Sequence, residues 1–200
     1  LLDSGYIKYT EREKVNKEKN HSLLLIDNEG PTNPGLGTGG AKCIVNGKDI
    51  NNDLSFVSSQ TTYKGHTINR FVFSIENELF IIFDMPVNIS GRHNFIYSFT
   101  AQLNGGEDER GTVELFDKGV ILTKQNSKLK IYTISSNNNT TYSTDTQTDG
   151  ILYGQEKFHK RFIASSEGEN INFLTLFDAQ NLNDEFIEVS VNNGYDFQYG

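Results

Sequence analysis

Short apolar runs separated by turn signals recur along the whole chain, and they predict β-strands. β-branched and aromatic residues fill these runs, a composition typical of strands. The clearest pair, 71–75 and 79–83, is separated by the polar turn Glu76-Asn77-Glu78 and predicts a β-hairpin. The other predicted strands are 23–27, 95–99, 113–116, 119–122, 129–134, 158–164, 171–177 and 186–191. So many short strands predict an all-β fold, an antiparallel two-sheet β-sandwich.

Helical periodicity is scarce. The segment 10–20 has Val15 as its one apolar residue, so a helix there would have no buried face and we expect a solvated loop. The polar tract 137–149 predicts a long surface loop. The Gly-rich segment 31–40 lacks a phosphate-cradling pattern and indicates a loop rather than a nucleotide site. The acidic segment 105–111 indicates a solvated turn rather than a calcium site.

Composition adds to this picture. The 200 residues suit one large all-β unit, and we expect a single domain over 1–200 whose core is supplied largely by 14 Phe and 9 Tyr. The net charge of -8 gives no basic footprint for nucleic acid or for an anionic membrane surface. No apolar run is long enough to span a bilayer. We therefore expect neither a nucleic acid nor a membrane as partner.

Residues for independent catalysis are few. Cys43 is the single cysteine, which excludes a disulfide within one chain, and we interpret it as a small buried hydrophobe. None of the four histidines has a zinc-helix spacing, and no nucleophile elbow is present. His66 and His93 fall where strands begin, which indicates polar residues at the rim of a sheet. An enzyme complete within this chain is the weakest alternative.

The densest basic stretch is 157–161, close to Tyr153. An exposed strand face would explain it. A patch for a sugar carboxylate or sulfate is the other interpretation, with Lys157, His159 and Arg161 as substrate-binding residues.

A series of motifs surrounds His21. The residues 20–30 read NHSLLLIDNEG, and upstream the apolar run Leu1-Leu2 ends in Asp3-Ser4-Gly5. This resembles the β domain of heparinase II/III-like polysaccharide lyases, in which an Asp-x-Gly, a polar segment and a His-Asn-Ser/Thr-Leu-Leu strand with an Asp-x-x-Gly turn follow in order. His21 and 27–30 match that pattern, whereas Ser22 and Leu23 replace the Asn and Ser/Thr.

The resemblance continues in order along nearly the whole chain. The family's Arg-bearing strand and the apolar strand ending in Asp are matched by 66–73 and 79–84. The family's next strand, which carries a His and aromatic residues, is matched by 93–99, although Thr100 stands where a final His is common. The late strands are matched by Tyr153-Gly154, His159 and 173–176.

The resemblance implies a function. Such lyases join this sandwich to an N-terminal (α/α) toroid and cleave uronic-acid-containing polysaccharides by β-elimination. A Tyr or His removes the C5 proton while polar groups neutralise the carboxylate. The base and the neutralising groups come largely from the toroid. The sandwich lines one side of the cleft, so we expect this chain to be inactive alone.

The resemblance also implies site residues. Tyr6 and Tyr9 lie where family members place a cleft-facing tyrosine. Several members bind zinc, and Asp3 and His21 match two of its three ligands. The third, a His, would precede Leu1, so we expect an incomplete zinc site, or a hydrogen-bonded Asp3–His21 pair without metal.

The implied partners are an acidic polysaccharide and the missing toroid, in a secreted or periplasmic protein. The start at Leu1, directly in a predicted strand, suggests a piece of a longer chain. The alternative function is a non-catalytic carbohydrate-binding or adhesion module, which the aromatic-rich strands and Asn-rich loops allow. The absence of Trp counts mildly against it.

Overall fold

The computed structural model describes residues 8–15, 17–30, 41–49, 53–63, 65–76, 78–101, 111–124, 127–149, 157–179, 187–191 and 195–199. Two 3₁₀ helices, Tyr9–Lys14 and Glu18–Asn20, precede the strands. The strands in chain order are β1 Leu24–Ile26, β2 Ala41–Asp49, β3 Leu54–Tyr63, β4 His66–Ile75, β5 Leu79–Val87, β6 His93–Ala101, β7 Gly111–Phe116, β8 Gly119–Lys124, β9 Ser127–Ser135, β10 Thr141–Asp149, β11 Lys157–Gly168, β12 Phe173–Asp178, β13 Ile187–Val191 and β14 Tyr195–Tyr199.

The strands form two large antiparallel sheets. The four-stranded sheet has the order β1-β6-β11-β10, and the eight-stranded sheet has the order β2-β3-β4-β5-β12-β9-β8-β7. Strands β13 and β14 pair with each other. The predicted all-β, two-sheet sandwich is therefore confirmed, and so is the hairpin of β4 and β5.

The core lies between the two large sheets. Successive side chains of a strand point to opposite faces, so alternate residues of each sheet meet there. Phe99 and Phe162 stack within the four-stranded sheet with ring centroids 4.8 Å apart. Tyr97 of that sheet stacks on Phe173 of the other at 5.8 Å. These aromatic contacts hold the sheets face to face.

The eight-stranded sheet is apolar on both faces. Ile82 packs against the core between the sheets, whereas its neighbour Ile81 belongs to a second cluster on the opposite face. That second cluster includes the half-buried rings of Phe73, Phe83 and Phe116. An antiparallel sheet that faces water on one side normally alternates apolar and polar residues. This sheet does not, and its second face holds a second apolar cluster whose central residues are buried within the chain.

Three local predictions were wrong. The segment 10–20 contains 3₁₀ turns, and Val15 is buried although it lacks apolar neighbours in sequence. The tract 137–149 is mostly strand β10, because each residue from 141 to 149 has a partner on β11 in an antiparallel ladder. Cys43 is exposed on β2, an edge strand, and is not a buried hydrophobe. Segments 31–40 and 105–110 lie outside the described residues.

Candidate functional site

The chain before β1 lies against the outer face of the four-stranded sheet. On β11, Phe162 packs into the core, so its neighbour Arg161 points to the outer face. Arg161 there donates from Nη1 to the carbonyl oxygen of Lys19 at 3.0 Å. The backbone N–H of Ser98 on β6 donates to the carbonyl of Leu23 at 3.0 Å. We call residues 8–15 and 17–23 the anchored segment; it carries His21.

The first anchor is an ion pair on the four-stranded sheet. Arg161 and Asp145 are directly opposite each other on β11 and β10. Two parallel hydrogen bonds join them, Nε to Oδ1 at 3.0 Å and Nη2 to Oδ2 at 2.6 Å. Gln147 donates to the same carboxylate at 2.8 Å. Such a bidentate pair fixes the guanidinium plane, and this directs the remaining N–H toward Lys19.

The second anchor repeats the arrangement on the eight-stranded sheet. Arg70 and Asp84 are directly opposite each other on β4 and β5. Nε donates to Oδ1 and Nη2 to Oδ2, both at 2.7 Å. Asp84 is fully buried, and Arg70 also donates from Nη1 to the carbonyl of Ser22 at 3.3 Å. The two anchors therefore bind carbonyls on either side of residues 20 and 21, from opposite sheets.

The anchored segment also has its own internal support. Val15 and Asn20 are each 1% exposed. The side-chain amide of Asn20 donates to the carbonyl of Lys14 at 2.8 Å, which joins the two 3₁₀ turns. His21 is half-buried between these contacts. Hydrogen bonds within the fold thus hold the backbone on both sides of His21.

A buried polar chain continues from the second anchor into the core. Burial raises the pKa of Tyr97 to about 12, and the nearby charge of Asp84 adds to the shift. Tyr97 also hydrogen-bonds Thr175, whose hydroxyl lies 3.1 Å from that of Thr133. The raised pKa keeps Tyr97 protonated further into the alkaline range than an ordinary tyrosine.

A second polar cluster occupies the rim where β1 ends and β6 begins. Nδ1 of His93 lies 2.7 Å from Oδ2 of Asp27, and Nε2 lies 3.1 Å from the carbonyl of Ser90. The hydrogen bond to Asp27 raises the pKa of His93, and the same bond lowers the pKa of Asp27. The ring of His66 meets that of His93 edge to face at 5.2 Å. His66 and His93 are thus rim residues, as predicted.

Of the predicted cleft and metal residues, the structure describes Tyr9 and His21. Tyr9 is 70% exposed, and the guanidinium of Arg12 lies 4.6 Å from its ring centre. Tyr6 and Asp3 lie outside the described residues, so the predicted proximity of Asp3 to His21 stays a prediction. Tyr9 is therefore the described cleft candidate that a polymer could reach.

The predicted basic strand face needs correction. His159 is 0% exposed and Arg161 8% exposed, so the interpretation of 157–161 as an exposed face is wrong for both. Arg161 binds Asp145 and the anchored segment rather than solvent. Lys157 begins β11, but its side chain lies outside the description. The substrate-binding role of Lys157, His159 and Arg161 stays a prediction, which burial within this chain disfavours for the latter two.

The described residues do not by themselves form a metal site. Among them, no three His, Cys, Asp or Glu side chains are grouped closely enough to hold an ion. His21 is the described member of the predicted zinc ligand pair. Zinc at Asp3 and His21 therefore stays a prediction.

Sequence reasoning missed the anchors. Arg70 and Asp84 were matched to a strand pattern, but nothing in their spacing shows that they pair. Asp145 was assigned to a surface loop, so the partner of Arg161 was lost with it. The available signal was the alternation of Tyr or Thr at 142, 144, 146 and 148 with other polar residues, since aromatic and β-branched residues favour strands.

Within the part of the chain that the structure describes, neither helix has the length and apolar character that crossing a membrane requires.

This chain has an all-β sandwich fold that is also found in solved heparinase structures. Solved structures of lyases share it: a structure of heparinase III matches 98% of this chain with a TM-score of 0.78 and 15% identity. A mutant of heparan sulfate lyase HepC from Pedobacter heparinus matches 97% with a TM-score of 0.73 and 18% identity. The heparinase III gene product BT4657, with methylated lysines, matches 98% with a TM-score of 0.73 and 14% identity.

The chain spans about 30% of the length of each of these structures. No protein-family model matches the sequence, and no curated protein matches it. At this level of identity the likeness shows the fold alone. The matched part is a minor share of each neighbouring protein's own chain.

Proposed function

We propose that this chain is the β domain of a heparinase-like polysaccharide lyase and lines one side of a cleft that binds a uronic-acid-containing polysaccharide. The observation that carries the proposal is the anchored segment. It holds the backbone around His21 between an arginine of each sheet, in a sandwich whose fold resembles that of the heparinase structures. In this proposal the polymer runs along that segment.

The proposed chemistry is β-elimination, in which a base removes the C5 proton of the uronate and a polar group balances the carboxylate charge. His21 is this chain's candidate for the polar group that balances the carboxylate charge. Exposed Tyr9, with Arg12 beside it, is the candidate contact for a sugar ring and its anionic group. The remaining groups would come from a helical domain, so the chain alone would lack the full set.

The second face of the eight-stranded sheet also supports the proposal of a further domain. Its second face carries half-buried rings at Phe73, Phe83 and Phe116, and Phe71 stacks on Phe83 at 6.1 Å. Burying more of these rings against a further domain would be favourable. A secreted or periplasmic location fits a polymer-degrading enzyme and belongs to the same proposal.

The test is a lyase assay on heparan sulfate, alginate and hyaluronan, read as ultraviolet absorbance of the unsaturated product. We expect no product from the 200-residue chain and product from a natural form that includes the sequence preceding Leu1. In that longer form, His21→Ala should lower the rate by about a hundredfold, the effect of removing one group that stabilises developing charge. His66→Ala, another half-buried histidine, is the matched control and should leave the rate within about twofold.

Activity in the 200-residue chain would contradict the division of labour between domains. A longer form that is folded but inactive on all three polymers would contradict the lyase assignment.

The alternative is a non-catalytic carbohydrate-binding module, and the 70% exposure of Tyr9 favours it. Aromatic rings at a surface stack on sugar faces without any catalytic group. Glycan affinity in the isolated chain, with no lyase activity in any longer form, would support this alternative over the proposal.

A further inference from the structure

The backbone around His21 is neither helix nor strand, yet its carbonyls have fixed donors. Lys19 lies in the short 3₁₀ helix Glu18–Asn20, and Ser22 lies between that helix and β1. Their carbonyls accept from Arg161 at 3.0 Å and from Arg70 at 3.3 Å. Because such groups need partners when a segment packs against a sheet, two guanidinium groups replace the missing backbone ladder.

Each arginine is already neutralised within its own sheet. Arg161 uses Nε and Nη2 on Asp145, and Arg70 uses Nε and Nη2 on Asp84. In both cases Nη1 is the atom that reaches the anchored segment. The carboxylates hold the guanidinium planes, so the direction of each Nη1–H is set before the segment docks.

We propose that Arg161 and Arg70 are positioning residues for His21, acting together through the carbonyls of Lys19 and Ser22. Only two residues, Asn20 and His21, separate those carbonyls, so fixing both limits the backbone of His21 to one path. Asp145 and Asp84 act one step further back, by orienting the arginines. The inference rests on the proposed function for the importance of His21, but the positional coupling can be measured without any activity.

Arginine geometry makes the proposal testable with conservative variants. Lysine keeps the positive charge next to each aspartate, but its single ammonium cannot serve two carboxylate oxygens and a distant carbonyl in one plane. Arg161→Lys and Arg70→Lys should therefore preserve the ion pairs and release the segment. Arg92→Lys is the matched control, because Arg92 pairs with Glu167 on the surface, far from full burial.

The first readout is limited trypsin digestion of the 200-residue chain, with mass spectrometry of the fragments. The anchored segment contains cleavage sites at Lys14, Lys17 and Lys19. Cleavage of a native protein follows local opening. Each single variant should accelerate cleavage in 14–19 by about tenfold, while sites in β9 at Lys128 and Lys130 stay protected. The control should match the parent chain.

The second readout is the imidazole ¹H–¹³C correlation spectrum. It is simple because the chain has only four histidines. The His21 signal, assigned by its loss in His21→Gln, should shift or broaden in both arginine variants. The His66 and His93 signals should stay in place, because their described contacts link them to each other, Asp27 and Ser90 rather than to the anchors.

The double variant tests joint action. Since both arginines hold one short segment, releasing either already frees much of it, so combined cleavage rates should fall clearly below the product of the two single effects. Rates that multiply would show independent contacts and overturn the coupling. An unmoved His21 signal would overturn positioning. Equal acceleration at Lys128 and Lys130 would show general unfolding, and this would also overturn it. Failure of the lyase assay would leave all three readouts unaffected.

Discussion

The ion pair between Arg70 and Asp84 gives the sharpest stability prediction. Asp84 is 0% exposed, whereas the side chain of Arg70 is 27% exposed. Arg70→Met leaves a buried carboxylate without its cation, a loss of about 3–5 kcal/mol in comparable cases. Because the pair borders solvent on the arginine side, we expect about 3 kcal/mol, near the lower limit.

The comparison is Arg92→Met, which breaks the pair with Glu167 between side chains 75% and 63% exposed. A surface pair contributes about 0–1 kcal/mol. Urea denaturation followed by far-ultraviolet circular dichroism would measure the free energy of unfolding of both variants. At about 2–4 °C per kcal/mol for a chain of this size, Arg70→Met should lower Tm by about 6–12 °C.

A double variant separates the lost attraction from the cost of the isolated charge. In Arg70→Met with Asp84→Asn, no buried charge remains, so we expect at least about 1 kcal/mol of the loss to return. If Arg70→Met costs no more than Arg92→Met, or if the double variant is less stable than Arg70→Met alone, the reasoning from burial is refuted.

Two further predictions concern the rim and a tight strand contact. The raised pKa of His93 stabilises the fold below the ordinary histidine value of 6.5, and this stabilisation is lost as pH rises through the folded pKa. The lowered pKa of Asp27 stabilises the fold above the ordinary value of 3.8, and this stabilisation is lost as pH falls through the folded pKa. His93→Gln should therefore reduce the free energy of unfolding more at about pH 5.5 than at about pH 9, and an equal loss at both would contradict the pair. Gly119→Ala should cost at least about 1–3 kcal/mol, because the added methyl overlaps the carbonyl of Ile131 on the paired strand. A Tm unchanged from the parent chain would show that β8 and β9 can separate there.

The fold class followed from local pattern alone. Runs such as 71–75 and 79–83 contain aromatic and β-branched residues in numbers that only strands accommodate, and their short polar turn leaves a hairpin as the simple connection. Strands made mainly of polar residues were harder to predict from the sequence. β10 has few apolar residues, and it is a strand because β11 offers it a full ladder, a long-range fact.

Individual environments also depended on the tertiary structure. His159 and Arg161 lie in a basic stretch that looks solvent-facing in sequence, yet both are buried on the outer side of the four-stranded sheet. The segment that meets Arg161 is more than a hundred residues away in sequence. Burial of a charged residue depends on such distant partners, so no local pattern could report it.

The sequence by itself therefore determined the apolar strands and the all-β class, because these depend on neighbours within a few residues. Only the tertiary structure decided that Arg70 and Arg161 hold the anchored segment from two sheets. Hydrogen bonds between β4, β11 and the chain before β1 join residues 48 and 142 positions apart, and their geometry exists only once the sheets have packed.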